Sequence, residues 1–132
     1  MRKLEAPNFD AGETFLACIS RVRNRDLKSR LTSVEENIKE AAKTYKTAAE
    51  KFQLHTIIAS DNIAGIVTNE EMVDVYDGRM AKDGSPGRYI YDKIKSIPAF
   101  SRCPFCNQRT VTTLDHHLPK KKYSEFTVTP IN

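Results

Sequence analysis

Between Leu31 and Phe52, apolar side chains recur at Leu31, Val34, Ile38, Ala41, Tyr45, Ala48 and Phe52. This three–four alternation draws one apolar seam along a helix. The opposite face carries Glu35, Glu36, Lys39, Glu40, Lys43, Lys46, Glu50 and Lys51. Acids and bases balance there, so that face reads as solvated. Ser33 and Glu36 have the spacing of a capping box at the helix start. A seam of this length has to be covered. Fewer than four heptads is short for a free-standing coiled coil, so packing against other helices of the same chain is expected, with a dimer interface as the alternative.

The partners for that seam are legible on either side. Asp10 and Glu13 pair as an N-terminal cap for a helix over 11–25, with Phe15, Ile19 and Val22 inward. Thr68 and Glu71 form a second capping box, opening a helix to about Met80 with Met72, Val73, Tyr76 and Met80 inward. Ser85 before Pro86 predicts a fourth helix to about Ser96, with Tyr89 or Ile90, Ile94 and Ile97 inward and Pro98 ending it. Residues 54–67 read as a loop with some buried side chains. Arg21, Arg23, Arg25, Lys28 and Arg30 make a basic run, either a solvated face or a contact for phosphate or a partner.

Composition narrows the class. The chain has 132 residues, 39% hydrophobic and 29% charged, with a net charge of +4. That suits one modest domain, or a helical domain with a small appendix. No apolar run approaches the roughly 20 residues of a membrane span, and the N-terminal stretch lacks the apolar core of a signal peptide. Three cysteines, an odd number, fit a reducing, cytoplasmic setting better than a disulfide scaffold. The mild positive charge is compatible with nucleic acid without requiring it.

The chemistry is concentrated after residue 102. Cys103-Pro104-Phe105-Cys106 is a knuckle that can aim two thiolates at one ion, and a structural zinc site needs four ligands. A chance pair of thiols is one alternative. A redox pair is another, but a strand-like run, Thr110 to Leu114, follows where that motif requires a helix. Asp115 and His116 come next, followed by His117 and Pro119. A carboxylate suits a hard divalent ion, and an imidazole can take a proton from water near neutral pH. Adjacent strand residues face opposite ways, so a turn or bulge would have to re-aim one of them. Lys120, Lys121 and Lys122 follow, and Arg102 and Arg109 flank the cysteines. These five basic residues are placed to hold phosphate, or else make a solvated loop.

In this order, Cys-Pro-x-Cys, a β-hairpin, Leu-Asp-His-His-x-Pro-Lys and Tyr-x-x-x-x-Val-x-Pro-x-Asn resemble the first two thirds of the HNH endonuclease motif, the ββα-metal finger. The resemblance covers about thirty residues. It implies that Asp115 binds a catalytic magnesium or manganese ion, that His116 is the general base, and that Asn132 orients the loop and that base. It also implies that Cys103 and Cys106 supply half of a structural zinc site. In the family the helix after this Asn carries a second cysteine pair and a last metal ligand, and those lie outside these 132 residues. The chain therefore reads as a truncated HNH protein, or as a fragment whose remaining helix comes from elsewhere.

The expected architecture is mainly α: a helical platform over 1–97, then an incomplete finger over 98–132. Residues 10–97 are expected to fold alone and the chain from 103 onward to be mobile. The expected function is metal-dependent DNA hydrolysis, weak or absent in these residues alone. The alternatives are a non-catalytic helical module binding protein or nucleic acid, with an inert zinc-knuckle tail, and a plain zinc-finger-like DNA binder. By analogy with related systems, the resemblance also implies a role in phage defence or mobile elements and a partner protein such as an ATPase.

Overall fold

The structure, a computed structural model, describes residues 4–132. Among the described residues, besides three short 3-10 turns, there are five α-helices and one two-stranded ribbon: α1 (Ala11–Ile19), α2 (Arg25–Ser33), α3 (Glu35–Glu50), β1 (Asn62–Ile63), β2 (Val67–Thr68), α4 (Asn69–Arg79) and α5 (Arg88–Lys95). The protein is mainly helical with a small β element. That element is not where the sequence placed it. β1 and β2 pair antiparallel inside the stretch read as a loop, Asn62 opposite Thr68 and Ile63 opposite Val67. The run Thr110–Leu114 forms no regular strand, only a single antiparallel bridge between Arg102 and Thr110.

The seam is buried as expected, with Leu31, Val34, Ile38, Ala41, Tyr45 and Ala48 all in the core. α1 lies along α3, and Phe15, Cys18 and Ile19 close the seam together with Met72, Val75, Tyr76 and Ile90. Phe52 is the exception, 92% exposed. The helix has ended at Glu50, and Phe52 sits in a left-handed turn, φ 56°, that swings its ring off the seam.

The caps explain where helices begin. Asp10 accepts the Glu13 N–H at 2.9 Å, and Thr68 and Glu71 exchange both bonds of a capping box. Three boundaries differ from expectation. The helix expected over 11–25 stops at Ile19, and α2 starts afresh because the Asn24 side chain accepts the Leu27 N–H. Ser33 caps nothing; its hydroxyl donates back to Arg30 O, and Val34 is the joint between α2 and α3. α5 begins at Arg88 rather than at Pro86. Gly87 precedes it against the Cys18 sulfur, where a Cβ would lie 2.5 Å from Sγ, so only glycine fits.

Two members of the basic run hold the fold. Lys28 donates to Ile19 O at the end of α1. The Arg30 guanidinium forks onto both Glu71 oxygens at 2.8 and 2.7 Å and also reaches Asp26, tying α2 to α4. Arg30 is the main reason the Glu71 carboxyl is held down to about 2. A carboxyl depressed in the folded state contributes stability above its unfolded pKa and loses it as pH falls. Denaturation midpoints followed by circular dichroism should therefore drop between pH ~4.5 and ~2, and Glu71→Gln should flatten that drop.

Residues from Leu118 onward are docked on the helices, contrary to the expected mobile tail. Val128, 1% exposed, belongs to the main core. Leu118 and Phe126 form a second cluster with Ala41 and Tyr45 of α3. Backbone bonds join Ser60 to Lys122 and Ser124, and the Asn69 amide donates to Lys120 O and to Ser124 Oγ.

Candidate functional site

The Asp115–His117 segment is suspended between two anchored leucines. The Leu114 N–H donates to the Tyr91 hydroxyl at 3.2 Å, and Leu118 is buried in the second cluster. Between them the chain turns locally, because Asp115 Oδ1 accepts the N–H of His116 at 2.9 Å. This is the re-aiming that a regular strand could not supply. Asp115 and His116 both line a cavity of about 250 Å³, shared with Tyr76, Leu114, Thr127 and Asn132.

His116 is held on two sides. Its Nε2 lies 2.7 Å from the Thr127 carbonyl oxygen. A carbonyl only accepts, so Nε2 carries the proton and, in the neutral ring, Nδ1 holds the lone pair. The ring stands edge-on to Tyr76, with centroids 4.6 Å apart and planes at 71°. Burial pushes the His116 pKa below the ordinary imidazole value; the Thr127 carbonyl opposes that shift, and the charge of Lys120 adds to it. That shift favours the neutral, proton-accepting ring. His117 and Asp115 are exposed.

Asn132 locks the loop from behind. Its Oδ1 accepts the Leu118 N–H at 2.7 Å, and its Nδ2 donates to Leu118 O at 3.0 Å and to Phe126 O at 3.2 Å. Its own carbonyl accepts the His117 N–H at 2.9 Å. One side chain thus fixes the residues that follow His116. Its side-chain bonds all go to backbone groups.

The cysteine knuckle is well formed. The Cys103 N–H donates to Arg109 O at 2.8 Å, and the Asn107 N–H to Cys103 O at 2.8 Å, with Asn107 left-handed at φ 56°. Backbone N–H groups of Arg109 and then Gln108 face the Cys106 sulfur and lower its pKa. Such N–H donors stabilise a thiolate, the form that binds metal. The third cysteine does not join. Cys18 is fully buried in the helical core, which pushes its thiol up to about 12. Among the described residues, no group of three or more His, Cys, Asp or Glu side chains is placed to hold a metal ion. The chemistry of the pair suits zinc, but the count fills half a site. Metal analysis of the purified chain is therefore expected to find well under one tightly held zinc per molecule. One zinc per chain surviving dialysis against chelator would mean that ligands from a second chain complete the site.

The basic residues divide. Lys120 is engaged, its ammonium 2.5 Å from Asp77 Oδ1 and 4.8 Å above the Tyr76 ring. Lys121, Lys122, Arg102 and Arg109 are exposed. Two contributors escaped sequence reasoning. Tyr76 was read as core and also forms the wall against His116. Thr127 acts through its carbonyl, which no side-chain pattern reveals.

No family model matches the chain, and no solved structure matches it. It is similar to Protein ea31 of Escherichia phage lambda, 24% identical over 139 aligned positions. The match takes in all of this chain but 47% of ea31, so the chain spans about half the length of that curated relative. Among the described residues, no helix is long and apolar enough to cross a membrane.

Proposed function

We propose that the chain carries the aspartate–histidine part of a metal-dependent DNA endonuclease of the HNH type. One observation bears most of the weight: His116, with Nε2 committed to Thr127 O and Nδ1 left as the acceptor, shares a cavity with the Asp115 carboxylate. A general base needs that tautomer fixed, and it needs its charged form disfavoured. In the proposed reaction, Nδ1 of His116 takes a proton from water. The water oxygen bonds to phosphorus, and the phosphorus–oxygen bond to the leaving sugar breaks. Asn132 keeps the loop in register while this happens.

Asp115 would hold a magnesium or manganese ion, which stabilises developing charge on phosphate and leaving oxygen when bound. Asp115 offers one hard oxygen ligand, which fits such an ion as a partial site. This is why the 132 residues alone should nick DNA weakly or not at all. A chain extended by the helix that follows in HNH proteins should be active.

A second reading draws on the finding that, among the described residues, no three His, Cys, Asp or Glu side chains are gathered to hold a metal ion. In it the helices bind a partner and the knuckle and loop are inert. Incubating supercoiled plasmid with the extended chain separates the two. Nicking that needs magnesium or manganese, and that Asp115→Ala abolishes, supports the nuclease. No nicking with any divalent ion leaves the binding module.

A further inference from the structure

The turn between α1 and α2 carries a cluster of charge that neither the fold nor the proposed hydrolysis uses. Arg21, Arg23 and Arg25 are exposed there, while Val22 between the first two is buried in the main core. The backbone of the turn is fixed. Ile19 O accepts both the Val22 N–H at 3.1 Å and the Lys28 ammonium at 2.6 Å, and the Asn24 side chain accepts the Leu27 N–H at 3.0 Å. Among the described residues, none of the three guanidiniums has an ion-pair partner. The acid next to them, Asp26, is bonded to Arg30. Arg25 also stands in the first turn of α2, the end at which a helix dipole disfavours a cation. The solvated face of α3 is built differently. Its cations are all lysines, and Lys39 and Lys43 are paired with Glu35, Glu36 and Glu40 of the same helix. The turn is separate from the cavities that Asn132 borders, which none of these arginines lines.

Three unpaired cations within five residues, on a backbone that cannot move them apart, repel one another until an anion lies across them. That all three are arginine narrows the anion. A guanidinium presents a planar fork of donors that matches two phosphate oxygens at once, where an ammonium is a point charge. A row of such forks suits an anion whose phosphates repeat. We infer that the α1–α2 turn holds the phosphate backbone of duplex DNA through Arg21, Arg23 and Arg25, outside the cavity where the strand is cut. Arg30 ties α2 to Glu71 at the start of α4, and α4 carries Tyr76 against His116. A backbone gripped at the turn is therefore held in a fixed relation to the Asp115–His117 loop. This inference rests on the nuclease reading for the identity of the polyanion; the binding itself is independent of cleavage.

The test measures binding, not cutting. Fluorescence anisotropy with a short labelled duplex, in EDTA so that no strand is cut, gives the affinity over a range of salt. Each phosphate contact adds about 0.9 to the slope with which log affinity falls against log salt. Arg21→Gln, Arg23→Gln and Arg25→Gln together should lower that slope by about 2.7, so that a fourfold rise in salt costs the parent about 40-fold more affinity than the variant. Arg23→Gln alone should lower it by about 0.9, and decides the matter if the triple variant does not keep the circular dichroism of the parent. Lys43→Gln, Lys46→Gln and Lys51→Gln together remove the same charge from the exposed face of α3 and should leave the slope unchanged. An unchanged slope in the arginine variants would overturn the inference. So would an equal loss in the lysine variant, no binding of DNA by the parent, or arginine-dependent binding to phosphatidylserine vesicles with none to DNA. If the extended chain fails to nick plasmid but the arginine pattern appears, the nuclease reading fails and the DNA-binding turn stands. Nicking with the slope unmoved by the arginine variants leaves the nuclease and removes the turn.

Discussion

Phe126→Ala is expected to destabilise the protein by roughly 3–5 kcal/mol, the usual cost of emptying a buried phenylalanine site. Phe126 is 4% exposed. Its ring packs against Tyr45 of α3 at 5.8 Å between centroids, and against Tyr123 at 6.5 Å. Leu118 shares the same cluster, so the cavity would open directly behind the Asp115–His117 loop. Urea denaturation followed by circular dichroism gives the value. Ile58→Ala is the control, because Ile58 is 87% exposed and its loss should cost no more than about 0.5 kcal/mol. Equal effects from the two substitutions would mean that the C-terminal segment does not contribute to the core, and that the docking of the loop on the platform is wrong.

The second large effect is on rate. Losing a positioned general base typically costs about 10²–10⁴-fold. His116→Ala in the extended chain should fall in that range, and should also cost roughly 1–3 kcal/mol of stability, because the carbonyl of buried Thr127 loses its partner. The pH dependence should carry the mark of burial. The base works only when neutral, and burial lowers the pH at which His116 takes up its proton. The acidic limb of the nicking rate should therefore be displaced below the ordinary imidazole range. An acidic limb displaced upward would contradict the burial of this ring against Tyr76.

The helices were legible because their signals are local. Asp10 and Thr68 are read as caps from spacing alone, and both cap in the structure. The seam from Leu31 to Ala48 needed only periodicity. What was not legible depended on distant partners. At Val34 the backbone leaves the helix, φ −99° and ψ 7°, and the Ser33 hydroxyl bonds back to Arg30 O rather than forward, which spacing alone does not show. The run Thr110–Leu114 has β propensity but meets a partner only at Thr110, so no ladder forms. The C-terminal segment looked too short to pack by itself; it borrows its core from α3 through Phe126 and from α1 and α4 through Val128. At the site, Asp115 and His116 stand out by residue type and Asn132 by the resemblance alone, and the fold gathers the three around one cavity. Cys103 and Cys106 come together in a knuckle, while the lysine triplet splits, with Lys120 turned back onto Asp77. That split follows from an acid on α4 that no local pattern connects to residue 120.

The most direct test sets two adjacent histidines against each other. Plasmid nicking by the extended chain, with magnesium or manganese, should be abolished or reduced by orders of magnitude in His116→Ala and largely retained in His117→Ala. His116 has its tautomer fixed by Thr127 and its ring walled by Tyr76, whereas His117 is exposed. A dead His117→Ala beside an active His116→Ala would contradict the assignment of the base.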